Sequence, residues 1–146
     1  MRKLGIDYGE TWYGIAITDL LAKISSPRQN YKSKGWKEDI LFFCALAKNE
    51  NVDTFVIGLP MNMDGTEGER CAVVRAFAKR LENESGLPVV FIDERLTTVE
   101  MDAFLESQGI SPKNRKQYVD KLSAQLILKT YLDQLEFEQN KAKKGE

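Results

Sequence analysis

The sequence predicts an α/β fold, a single domain built on one mixed five-stranded sheet, three antiparallel strands followed by two parallel ones, flanked by helices. Three observations predict it. The chain opens with apolar segments separated only by short turns. It then passes to stretches with helical spacing, and between those stretches lie two short continuous apolar runs, 54–57 and 89–92, of the kind that form strands covered on both faces. Strands that alternate with helices are joined by crossovers and lie parallel.

The first strand is Leu4–Gly5–Ile6, ending at Asp7 and Gly9. A second apolar run, Tyr13 to Asp19, follows after so short a connection that an antiparallel hairpin is expected. The third strand occupies part of Ile24 to Tyr31, where Pro27 confines it to an edge. Trp36, Ile40, Phe43 and Ala47 then share one face of a first helix.

After Thr54–Ile57 and Gly58–Leu59–Pro60 comes a loop with an Asp64–Gly65 turn. Thr66 and Glu69 form a capping-box pattern that opens a helix with Val74, Phe77, Ala78 and Leu81 on one side. Val89–Ile92 runs into Asp93–Glu94–Arg95, and Thr97 with Glu100 repeats the capping pattern for a helix reaching about Gln108. Gly109 to Gln117 is polar and basic, a segment expected to be mobile. A last helix spans about 118–135. The domain is therefore 1–136, with 137–146 as a charged, frayed C-terminal tail.

Bulk properties narrow the function. With 146 residues, 42% of them hydrophobic and 29% charged, the chain can bury its own core. No apolar run approaches the ~20 residues of a membrane span, and the N-terminus enters a strand directly, so no membrane association and a cytoplasmic location are expected. The chain has no histidine and two isolated cysteines, Cys44 and Cys71, which removes histidine-based triads and argues against a zinc site or a disulfide framework. A net charge of −1 requires any nucleic-acid partner to be met by local basic groups.

Three carboxylates stand out. Asp7 and Glu94 each lie at the carboxyl end of a strand, where ligands gather in such sheets. Asp120 heads the stripe Asp120, Ala124, Ile127 and Tyr131 of the last helix. Each has an ordinary structural role open to it, a turn acceptor for Asp7, an ion pair for Glu94 and a helix-dipole partner for Asp120. Together they carry more weight, because two carboxylates 5 Å apart repel by about 3 kcal/mol at an effective dielectric near 20. A bound cation relieves that repulsion, and oxygen ligands suit Mg²⁺ or Mn²⁺ as used in phosphodiester hydrolysis.

The segments Asp7–Tyr8–Gly9, Gly14–Ile15–Ala16, Val56–Pro60 with Asn62–Thr66, Asp93–Glu100, and Val119–Asp120 ahead of Ser123–Ala124 and Ile127–Leu128 resemble, in order and spacing, those of the YqgF/RuvX family. The resemblance spans most of the chain. It implies a ribonuclease-H-like fold similar to Holliday-junction resolvases and a bacterial nuclease that matures the 5′ end of pre-16S ribosomal RNA. It further implies Asp7, Glu94 and Asp120 as catalytic metal ligands for Mg²⁺ or Mn²⁺. Expected partners are structured RNA such as pre-rRNA, branched DNA and a ribosomal subunit, with the protein a monomer or homodimer.

One departure matters. Where the family has Thr followed by Lys or Arg after Asp-x-Gly, this chain has Glu10, Thr11 and Trp12. The missing cation is then sought in Arg95, with Lys113, Arg115 and Lys116 as a flexible clamp or, equally, a solvated loop. Asn62 and Thr66 offer uncharged hydrogen bonds to phosphate or sugar, unless the loop is only a turn. Trp12 and Tyr13 are candidates for base stacking, although hairpin aromatics more often pack. Three alternatives remain: a non-catalytic RNA- or ribosome-binding module, a junction resolvase acting on branched DNA, and a nucleotide hydrolase, the last disfavoured by the lack of a second lobe.

Overall fold

The computed structural model describes residues 1–144, except the side chains at 98–100, 115–121 and 144. Its elements are β1 (Arg2–Asp7), β2 (Trp12–Thr18), β3 (Ser25–Lys32), α1 (Trp36–Asn49), β4 (Val52–Leu59), α2 (Glu69–Ser85), β5 (Val89–Asp93), α3 (Glu94–Ser107), a 3₁₀ turn at Pro112–Asn114 and α4 (Arg115–Lys144). The strands form one sheet in the order β3-β2-β1-β4-β5. β2 lies antiparallel to both β1 and β3, while β4 is parallel to β1 and β5. The mixed five-stranded sheet read from the sequence is therefore the fold, with Pro27 on the edge strand as expected.

Alternation along the strands divides the molecule into two layers. Leu4 and Ile6 of β1, Tyr13, Ile15 and Ile17 of β2, and Phe55, Ile57 and Leu59 of β4 point to one face, packing on Ile40, Phe43 and Ala47 of α1 and on Cys71, Val74, Phe77, Ala78 and Leu81 of α2. Aromatic edges fill this layer: the Tyr13 ring meets Phe43 at 5.1 Å and Phe77 at 5.5 Å between centroids. Asp39 is buried there because three donors compensate it, the Tyr13 hydroxyl at 2.8 Å, Ser33 Oγ at 2.6 Å and the Lys34 backbone N–H at 2.8 Å.

The opposite face carries α4 and is bare of side chains at Gly5 and Gly14. Ala16 and Val56, with Ile92, pack on Ala124, Ile127 and Leu128 of α4. α4 lies so close to β1 that a Cβ built on Gly5 would stand 3.0 Å from the Ala124 carbonyl oxygen and 3.1 Å from Leu128 Cβ. On β2, a Cβ at Gly14 would meet Asp7 Cβ at 3.2 Å and Ala124 Cβ at 3.5 Å.

Helix boundaries differ from the sequence expectation in three places. α2 starts at Glu69 with Gly68 as its cap and no side-chain cap bond; Thr66 instead donates its hydroxyl to Asp64 Oδ1 at 2.6 Å, so the loop closes on itself before the helix begins. α3 starts at Glu94, three residues before the expected cap, because the Asp93 carboxylate accepts the Arg95 N–H at 2.9 Å. Thr97 lies inside that helix and donates to the Glu94 carbonyl at 2.9 Å. α4 runs on to Lys144, so 137–144 is helix and not a frayed tail.

The close seating of α4 on glycine gives a direct test. Gly5→Val should lower the unfolding free energy by about 1–3 kcal/mol through overpacking, read from the urea midpoint. A variant as stable as the parent would show that the two backbones are not in contact.

Candidate functional site

Parallel pairing brings the carboxyl ends of β1, β4 and β5 to one rim. Ile6 pairs with Ile57 and Leu59 with Asp93, which sets Asp7 and Glu94 on either side of Gly58. A Cβ at Gly58 would fall 2.6 Å from Glu94 Oε1, so the bare glycine is the gap across which Glu94 reaches toward Asp7. Asp7 points to the α4 face, and Ser123 of α4 donates to its Oδ2 at 2.5 Å.

A cavity of about 220 Å³ opens here, walled by the polar side chains of Asp7, Glu94, Arg70, Thr97, Asp102 and Ser123. Met101, Leu126 and Ile127 supply its apolar floor. Burial pushes the Glu94 carboxyl up to about 7, the Asp7 charge and a hydrogen bond with Asp7 add to the rise, and Arg70 opposes it. Among the described residues, the polar side chains that line the cavity, Arg70 apart, all offer oxygen. That donor set fits a hard divalent cation.

Among the described residues no three acidic, histidine or cysteine side chains gather as a metal-binding group. The side chain of Asp120, the third expected ligand, lies outside the described residues, as do those of Arg115 and Lys116. Asp120 belongs to α4 one turn before Ala124. Lys113 is exposed in the 3₁₀ turn.

Arg95 is committed elsewhere. Its Nε donates to Asp93 Oδ2 at 2.9 Å, Nη2 donates to the same oxygen at 2.6 Å, and Nη1 reaches the Met63 carbonyl at 3.2 Å. The guanidinium holds the Asp93 carboxyl below its usual range and straps the loop after β4 to the rim. Within that loop the Asn62 side-chain amide donates to Thr66 Oγ1 at 3.0 Å, and the Gly65 N–H bonds the Asn62 carbonyl at 2.9 Å. Of the two hairpin aromatics, Tyr13 is wholly buried and cannot stack a base, whereas Trp12 is exposed.

Sequence reasoning missed Arg70, Thr97, Asp102 and Ser123. Ser123 had a signal, a hydroxyl three residues after Asp120 on the inward side of the last helix. Arg70 had a weaker one, a cation at a helix start where acids are preferred.

A model of the family described as RuvX, Holliday junction resolvase, matches residues 1–134. The chain belongs to the RuvX family. Among curated RuvX relatives, a candidate pre-16S rRNA nuclease of Syntrophus aciditrophicus is 42% identical over 91% of this chain and 89% of its own length. Similar proteins of the same description from Endomicrobium trichonymphae and Streptococcus equi subsp. zooepidemicus are 45% and 43% identical, covering 90% and 91% of this chain and 95% and 98% of theirs. Among solved structures, the fowlpox virus Holliday junction resolvase is similar with a TM-score of 0.51 at 16% identity, covering 92% of this chain and 99% of that one. This RuvX chain thus has the ribonuclease-H-like fold of resolvases. No described helix is long and apolar enough to cross a membrane.

The Glu94 environment predicts how the metal-free protein responds to pH. An unfolded glutamate titrates near 4.5 and the folded one near 7, so between these values the folded state binds more protons and stability falls as pH rises. In chelator, the unfolding free energy should drop between pH 4.5 and 7 with a contribution of up to about 1.4 kcal/mol per pH unit that Glu94→Gln lacks. Parallel stability curves for the two proteins would show that Glu94 is not held in this state.

Proposed function

We propose that this RuvX protein is a metal-dependent endonuclease that hydrolyses phosphodiester bonds during maturation of the 5′ end of pre-16S rRNA in the cytoplasm. The observation that carries the reading is the adjacency of Asp7 and Glu94 in a cavity whose polar walls are nearly all oxygen donors. The RuvX relatives described as pre-16S rRNA nucleases support the substrate.

Asp7 and Glu94 would hold Mg²⁺ or Mn²⁺, with Asp120 of α4 as the third ligand. Such an ion, when bound, lowers the pKa of a water and neutralises charge on the reacting phosphate. The chain's own residues do the rest. Ser123 fixes one Asp7 oxygen, and Arg70 places a positive charge beside the pair for a phosphate oxygen to meet. In the reaction a water oxygen bonds to phosphorus and gives up a proton, the bond to the leaving oxygen breaks, and the leaving oxygen takes up a proton, so that one water is added overall.

Arg95, Asn62 and Thr66 serve by shaping the rim loop against which the substrate strand lies. Lys113 of the 3₁₀ turn, with Arg115 and Lys116 at the start of α4, would meet the nucleic-acid backbone, and a ribosomal subunit would present the RNA. The family description and the fold favour branched DNA as a second substrate.

Purified protein should cleave precursor 16S rRNA in Mg²⁺ or Mn²⁺ and not in chelator, and Asp7→Asn or Glu94→Gln should lower the rate by more than about 100-fold while remaining folded. Four-way DNA junctions run alongside decide the second substrate. Cleavage that survives in folded Asp7→Asn would overturn the assignment of the site.

A further inference from the structure

The Asp7 carboxylate borders a second groove. About 430 Å³ in volume, it opens along the sheet and is lined by Asp7, Trp12, Gly14 and Asn30. Asp7 and Gly14 are paired across β1 and β2, and Trp12 stands two residues from Gly14 on the same face, about 7 Å along the strand. Because Gly14 has no side chain, nothing of its own rises between the carboxylate and the indole.

Trp12 is 53% exposed and, among the described residues, takes no part in the aromatic cluster of the opposite face. The strand that carries it is nonetheless anchored on either side of it. The next residue, Tyr13, is buried and donates its hydroxyl to Asp39 at 2.8 Å, and the preceding carbonyl of Thr11 accepts the Ser33 N–H at 2.8 Å. Across the hairpin Trp12 pairs with Lys32, whose Nζ lies 5.9 Å from the ring centroid. An exposed indole on an anchored strand, a neighbouring ammonium and the exposed Asn30 make the combination that binds single-stranded nucleic acid: a stacking surface, a charge for the backbone and a hydrogen-bonding group.

We infer that Trp12 is the stacking platform for an unpaired nucleobase next to the scissile phosphate, with Lys32 meeting the adjoining backbone phosphate and Asn30 the sugar or base edge. The inference rests on the nuclease reading of the Asp7 site for the words "next to the scissile phosphate". The platform itself does not depend on it. Stacking tolerates any base but requires one whose face is uncovered, so the substrate strand is unstacked at this nucleotide and the enzyme selects a single-stranded segment.

The chain has two tryptophans, and in a Trp36→Phe protein Trp12 alone reports. In chelator, its fluorescence is titrated with short single-stranded oligoadenylate, with a fully paired RNA duplex, and with an abasic sugar–phosphate chain of the same length. Oligoadenylate should quench the signal. With Trp36 intact, Trp12→Ala should weaken oligoadenylate binding by about 5- to 100-fold, Trp12→Phe should recover most of it, and binding of duplex and abasic chain should be unchanged. Absence of quenching, or equal loss on oligoadenylate and abasic chain, would overturn the inference. Quenching by a protein that cleaves nothing in any metal would keep the platform and refute the nuclease reading; metal-dependent cleavage with an indifferent Trp12→Ala would do the reverse.

Discussion

The distance between α4 and the centre of the sheet governs everything at the rim. Helix backbone and strand backbone meet where Gly5 has no side chain, within 3.0 Å of where its Cβ would stand. A larger residue there would lift the helix, and a protein interior packed to crystal density has no slack to absorb the shift. With the helix seated, Ser123 reaches Asp7 and Ile127 closes the floor of the cavity. Gly58 repeats the device one strand away, letting Glu94 cross β4.

The electrostatic consequence follows from that packing. Two carboxylates are brought together in a partly buried place, and burial raises the cost of charging Glu94 before the repulsion from Asp7 is added. Arg70 at the start of α2 offsets only part of it. Arg95, the cation next to Glu94 in the sequence, is bound to Asp93 and to the loop carbonyl of Met63. Perturbed carboxyls of this kind, held in a cavity by burial and a neighbouring charge, are a mark of functional sites.

The sheet was legible because its strands are of two plain kinds: continuous apolar runs such as Val56–Ile57 where both faces are covered, and a hairpin with Pro27 marking the edge. Helix faces were legible from spacing alone, Ile40, Phe43 and Ala47 on α1, Val74, Phe77 and Leu81 on α2. The helix starts were not. Thr66 and Thr97 each satisfy a capping-box pattern, yet Asp64 captures the first hydroxyl and the Glu94 carbonyl the second, contacts set by the loop and by β5. Asp7 and Glu94 could be placed on one rim from strand ends. The glycine gap between them could not, since Gly58 reads in the sequence as the end of a strand. Arg95 stands in the sequence as a candidate for the missing phosphate contact, and its tie to Met63 is not legible there because that contact spans the loop.

The account stands on the claim that Asp7 and Glu94 together form a divalent-cation site. The most direct measurement is anomalous diffraction from crystals soaked in Mn²⁺. The account predicts a strong anomalous peak in contact with both carboxylates, abolished in Asp7→Asn. Electron density showing the two side chains in the same place with Mn²⁺ bound only elsewhere would contradict it.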